Sequence, residues 1–266
     1  MPAIRGRSCR GFCLLHSAMI HVLGGYDMLV SAYVDGFNFY EASRNKSWYP
    51  YGWCNWTKTI ENYCPGAEVR VKYFTSDVSP RHRGSRARQD LHLRAMREVA
   101  RAEVIKGVFR ERNVMCRQCN EPMRCPKCGK DTKMTEKQTD VNISLHLFED
   151  AIDRRFDWAF LVSADLDLVP AVEAALRRHE RGQIRILFPP ESGPAVEFSD
   201  LERGLRGRLR LLHLDLNRMV RFPDDLPARW GLALPKHWRE RAGPRPKVIE
   251  DNSEPRTSKG QRWWES

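Results

Sequence analysis

Two kinds of pattern alternate along this chain: short runs rich in β-branched and aromatic residues, and longer stretches in which apolar residues return every three or four positions. The short runs predict strands, at Leu29 to Val34, Glu68 to Thr75, Asp157 to Ser163 and Gln183 to Phe188. The longer spacing predicts helices over Ser85 to Arg101, Val141 to Arg154 and Leu168 to Arg181. Pro170 falls in the first turn of the last helix, where a missing N–H costs little, and Gly182 is placed to end it. Strand alternating with helix predicts an α/β protein with a doubly wound, mainly parallel sheet.

Several segments interrupt the alternation. Ser76 to Arg88 is expected as an arginine-rich loop, Asn113 to Lys137 carries paired cysteines, Pro190 to Pro194 is a loop, and Leu209 to Phe222 could add a peripheral strand. Residues 1–27 hold Arg5, Arg7 and Arg10 before a weak apolar patch with no convincing cleavage site. They make a poor secretory signal and are expected to be an N-terminal arm, or the product of a start assigned too early, with Met28 just before the first strand. From about Pro235 to the end, at residues 235–266, the chain is rich in Pro, Arg, Lys, Glu and Ser, the composition of a disordered basic tail. The domain itself is therefore expected over residues 28–222. No apolar run approaches the length of a spanning helix, which excludes an integral membrane protein of that kind.

Charge narrows the partners. The 266 residues carry 45 Lys and Arg against 34 Asp and Glu, a formal net charge of +11, which suits nucleic acid or an anionic membrane surface. Arg81, Arg83, Arg86 and Arg88, with His82, fill a stretch that has no acid. Guanidinium groups bind phosphates bidentately and stack on unpaired bases, so this stretch is expected to grip the backbone of a single-stranded nucleic acid. Tyr51, Trp48, Trp53 and Trp56 could stack bases, but packed core aromatics are the commoner outcome.

Four of the eight cysteines form two matched pairs, Cys116-x-x-Cys119 and Cys125-x-x-Cys128. Two such knuckles place four thiolates around one tetrahedral zinc, which four protein ligands make structural rather than catalytic. The expectation is an inserted four-cysteine zinc ribbon at about residues 113–137, presenting Arg117, Arg124, Lys127 and Lys130 as a basic finger, in a reducing, cytoplasmic setting.

The richest chemistry lies at strand ends. Ser163-Ala164-Asp165-Leu166-Asp167 follows one apolar run, Asp35-Gly36-Phe37-Asn38 follows another, and Asp140 opens a helix. In open α/β sheets the C-terminal ends of the strands are where ligands bind. Singly, each acid has an ordinary explanation as a turn residue or a helix cap. Carboxylates brought together repel, and a divalent cation held by oxygen ligands is the expected reason for Asp35, Asp140, Asp165 and Asp167 to converge, with Asn38 as a neutral helper. Hard oxygen donors suit Mg²⁺ or Mn²⁺, which activate water and neutralise charge in phosphodiester hydrolysis.

The blocks Tyr33-Val34-Asp35-Gly36-Phe37-Asn38-Phe39-Tyr40, Lys137-Gln138-Thr139-Asp140-Val141-Asn142 and Val162-Ser163-Ala164-Asp165-Leu166-Asp167-Leu168-Val169-Pro170 resemble, in order, the signature blocks of LabA-like NYN-domain proteins, a branch of the PIN-like nuclease superfamily. The likeness spans about Leu29 to Phe188. It implies a Rossmann-like sheet, a metal-dependent ribonuclease site at Asp35, Asp140, Asp165 and Asp167 with Asn38, and products ending in a 5′-phosphate and a 3′-hydroxyl. The chain departs from the family pattern at His146, where many relatives have a further aspartate, and at Ala164 and Leu166. The leading expectation is thus an endoribonuclease acting on single-stranded or loop RNA. A non-catalytic RNA-binding module and a DNA nuclease are the competing ones.

Overall fold

The computed structural model describes residues 28–43, 49–78, 83–113, 115, 119, 121–124, 132–190, 192–205, 207–223 and 226. The expected arm at 1–27 and tail at 235–266 lie outside them, as do Arg81, Cys116, Cys125 and Cys128.

Seven strands form one sheet: β1 (Leu29–Asp35), β2 (Glu68–Ser76), β3 (Glu103–Asn113), β4 (Thr132–Lys137), β5 (Trp158–Val162), β6 (Gln183–Phe188) and β7 (Leu209–His213). Their spatial order is β4-β3-β2-β1-β5-β6-β7. All neighbours run parallel except β3 and β4, which pair antiparallel from Val108↔Lys137 to Asn113↔Thr132. Without β4, the parallel strands read 3-2-1-4-5-6 in chain order, the doubly wound Rossmann arrangement, whose order reverses between β1 and β5.

The helices are α1 (Gly36–Ser43), α2 (Trp56–Glu61), α3 (Arg83–Glu98), α4 (Thr139–Ile152), α5 (Val169–Arg178) and α6 (Val196–Gly204). Period-two alternation divides the core between the two sheet faces. Val30, Ala32 and Val34 of β1, with Phe160 and Val162 of β5, pack against Phe39, Trp56, Leu93 and Met96 from α1 to α3. Tyr33, Ala159 and Leu161 instead join Ile143, Leu147, Val172 and Leu176 of α4 and α5. That parity turns the residues at the strand ends, Asp35 and Ser163, toward the α4 side. No described helix is long and apolar enough to cross a membrane.

The four expected strands and three expected helices are present, with ends moved by a few residues. Three expectations need correction. Arg83 to Arg88 is the start of α3 rather than loop, because after Gly84 the segment is built of good helix formers. That helix stops at Glu98, the chain reverses at Arg101 with φ 55, and β3 begins two residues later. The expected insertion is bounded by an antiparallel pair, so its two ends belong to the sheet. Leu209 to Phe222 is strand only to His213, then a 3₁₀ turn at Leu216–Arg218 capped by Asp215. Trp53 and Trp56 are wholly buried and Tyr51 nearly so, which makes them core.

Candidate metal centre

The strand order reverses between β1 and β5, and three acids meet at that C-terminal edge of the sheet. Carboxylate oxygens of Asp140, Asp165 and Asp167 all lie within 4.8 Å of one another. Bonds of 2.0–2.1 Å around one octahedral Mg²⁺ put adjacent oxygens about 2.9 Å and opposing ones about 4.2 Å apart, so the three carboxylates would have to draw closer to share a single ion. No cysteine or histidine belongs to the group, so its donors are all hard carboxylate oxygens.

Local structure sets each acid. Asp165 caps the 3₁₀ turn Leu166–Leu168: its Oδ1 accepts the Asp167 N–H at 2.9 Å, which brings the two side chains to one side of the turn. Asp140 occupies the first turn of α4, where the helix dipole favours a carboxylate. The residue before that helix, Gln138, has φ 77, a left-handed backbone rare for a side chain of this kind. Thr139 is buried, with its hydroxyl 3.4 Å from Ser76 Oγ. Gly107 allows this approach, since a Cβ there would fall 2.6 Å from Thr139 Oγ1 and 2.7 Å from the Lys137 carbonyl.

Asp35 was expected as a fourth ligand and lies outside that group of three. It is buried, and both its oxygens are engaged: Oδ1 accepts the Asn38 N–H at 2.9 Å and Oδ2 accepts the Ser163 hydroxyl at 3.1 Å. Ser163 Oγ in turn accepts the Asp165 N–H at 3.1 Å. Asn38 Oδ1 accepts the Ala164 N–H at 3.3 Å. Asp35 and Asn38 therefore brace the turn that carries Asp165. Gly36 makes room for this brace, because a Cβ there would collide with the Tyr73 ring at 2.4 Å.

His146 stands against Phe74, its Nδ1 3.3 Å from Lys72 Nζ, and takes no part in the acid group. Lys72 also pairs with buried Asp150 at 2.6 Å, and Asp150 accepts the Tyr33 hydroxyl at 2.6 Å. Burial first, and then the Asp150 charge, hold the Tyr33 phenol well above its ordinary pKa, so it stays a donor. This network lies on the α4 side and is structural.

Among the expected phosphate-gripping residues, Arg86 faces Asp77 at 3.6 Å and Asp90 at 3.8 Å. Arg88 hydrogen-bonds Ser85 Oγ at 3.0 Å and has no carboxylate partner among the described residues. The side chain of Arg83 lies outside the described residues, and Cys119, the one described cysteine of the expected ribbon, is exposed. Sequence reasoning missed an aromatic cleft on the α1–α3 side of the sheet. Its volume is about 110 Å³, and Phe37, Tyr40, Ser76, Arg88 and Phe109 are among the residues lining it.

Fold and site together define a doubly wound α/β protein with a carboxylate cluster at its topological switch point. No family model matches the chain. It is similar to 6-hydroxy-3-succinoylpyridine 3-monooxygenase HspA of Pseudomonas putida, 24% identical over 234 residues that cover 77% of this chain and 74% of that protein. Among solved structures it is similar to a protein of unknown function from Vibrio parahaemolyticus, at 18% identity and TM-score 0.45 over 73% of this chain and 98% of that one. A second is the Haloferax mediterranei glucose dehydrogenase in complex with NADP, Zn and gluconolactone, at 12% identity and TM-score 0.30 over 86% of this chain and 47% of that one.

Proposed function

We propose that this protein is a metal-dependent ribonuclease of the PIN-like kind, hydrolysing phosphodiester bonds of single-stranded or loop RNA. The observation that carries the reading is the meeting of Asp140, Asp165 and Asp167 within 4.8 Å at the switch point. These three would hold Mg²⁺ or Mn²⁺, and an ion so held lowers the pKa of a bound water and neutralises charge building on the phosphate. Asp35, through Ser163, fixes the Asp165 backbone, and Asn38 fixes Ala164. Arg88, on the first turns of α3, supplies positive charge for a neighbouring phosphate. The net charge of +11 supports a polyanionic substrate.

The test is cleavage of labelled RNA with Mn²⁺ by the wild type, by Asp165→Asn and by the wild type in EDTA. The expected result is turnover by the first alone. Equal cleavage in all three sinks the assignment, and salt-sensitive RNA binding without turnover that survives chelation would make the protein a binding module instead.

The relative named as a monooxygenase favours a second reading, an oxygenase of a small heteroaromatic ring. Against a dinucleotide at this switch point, the β1–α1 turn has the single glycine Gly36 and the carboxylate of Asp35, where pyrophosphate binding calls for several glycines and no acid. Oxidation of NADH on adding a hydroxypyridine, with RNA left intact, would select that reading.

We further propose that Cys116, Cys119, Cys125 and Cys128 hold one structural zinc. Such a site requires reduced thiols and so a cytoplasmic setting. Metal analysis of protein purified without added zinc is expected to give about one zinc per chain. Zinc-free protein with four titratable thiols in that segment would refute it.

A further inference from the structure

The aromatic cleft is lined by the core rings of Phe39, Tyr51, Trp56 and Tyr73 and also by Phe37, Tyr40 and Phe109, which belong to neither core cluster. Phe37 and Tyr40 sit one helical turn apart on α1 and are 37% and 39% exposed. Phe109 of β3 meets Phe37 edge to face, with ring centroids 5.8 Å apart. Phe39, between them in sequence, is buried against Trp56, and both of these also line the cleft. Large rings left in water indicate a contact surface rather than packing.

Two links run from the cleft toward the acids, one along the chain and one through a hydrogen bond. Phe37 is two residues from Asp35, and Ser76, on the cleft wall, contacts Thr139, the neighbour of Asp140. Arg88 also lines the cleft. At about 110 Å³ the space is well below the roughly 300–1,000 Å³ of drug-sized sites, so it admits one flat ring and little more. A flat ring with a polar edge, attached to a phosphate that lies toward both a cationic side chain and a cation site, is a nucleotide.

Resting on the ribonuclease reading, we propose that this cleft seats one unpaired nucleobase next to the phosphate held at the acids, stacked on Phe37 with Phe109 meeting it edge-on and Arg88 on its phosphate. The enzyme then engages a base that has left its stack, so single-stranded and looped RNA are its substrates because paired bases cannot enter. Stacking of this kind contributes about 1–3 kcal/mol per base.

The experiment measures binding apart from cleavage. Asp165→Asn protein in Ca²⁺ is titrated with single-stranded RNAs, each carrying one abasic position, and with a matching 2-aminopurine series read by fluorescence. Loss of affinity of about tenfold is expected at one position only, where 2-aminopurine emission is also quenched. Phe37→Ala should remove the sensitivity to that position, and Phe37→Trp should restore it. Equal loss at every position, or unchanged position dependence in Phe37→Ala, overturns the proposal. So does displacement of the quenched base by a free hydroxypyridine at micromolar concentration, which would assign the cleft to a small molecule. The two readings fail separately: cleavage by the wild type without a position effect leaves the ribonuclease and removes the base cleft. A position effect without cleavage does the reverse.

Discussion

His92, which also lines the aromatic cleft, shows how one buried residue can set a pH limit on stability. It lies on α3 with its Nε2 3.3 Å from the Cys54 carbonyl, among the rings of Trp53, Tyr73 and Phe222. Burial pushes its pKa down from 6.5 to about 4, the Cys54 hydrogen bond opposing only in part. As pH falls from 6.5 toward 4, the unfolded chain takes up a proton that the folded one refuses, so stability is lost over that window and is complete above it. The difference corresponds to roughly 3 kcal/mol. His92→Gln keeps a donor for Cys54 and removes the titration. Urea melts at pH 4, 5, 6 and 7 should show the wild type losing stability relative to the variant across the window, whereas parallel curves would contradict this account. At the same scale, Asp165, Asp167 and Asp140 were legible as acids at strand and helix ends. The Asp35–Ser163 hydrogen bond was not, because it depends on a partner from another strand.

Among the elements, β1, β5 and β6 were legible because strands covered on both faces are apolar along nearly their whole length. β3 was not. Its sequence Glu103-Val-Ile-Lys-Gly-Val-Phe-Arg-Glu-Arg-Asn113 mixes charges into the apolar run and is interrupted by Gly107, so it has neither a clean alternation nor a continuous core signal. Missing β3 also hid Phe109 and with it the aromatic cleft. Gly107 has a purpose at this scale: β2, β3 and the start of α4 approach one another over its missing side chain. Gly107→Ala would push on Thr139 Oγ1, Ser76 Oγ and the Lys137 carbonyl and displace the turn that presents Asp140. The expected outcome is a stability loss of about 1–3 kcal/mol and Mn²⁺ affinity lower by about tenfold or more. Thermal melts and a calorimetric Mn²⁺ titration measure both, and unchanged affinity would separate Asp140 from the site.

For the molecule as a whole, the strand order is what turns a dispersed sequence signal into a site. Asp35 and Asp165 are far apart in the chain, yet β1 and β5 are neighbours with Val34 beside Val162, and both strands end at the reversal. α4 starts at that same edge and runs back along the sheet before β5 returns. The acid at the beginning of this excursion, Asp140, therefore meets the acids at its end, Asp165 and Asp167. An ion gripping all three would fasten the α4–β5 unit upon itself like the clasp of a bracelet. Amide exchange in α4 and its detachment from the sheet would then become linked to ion occupancy.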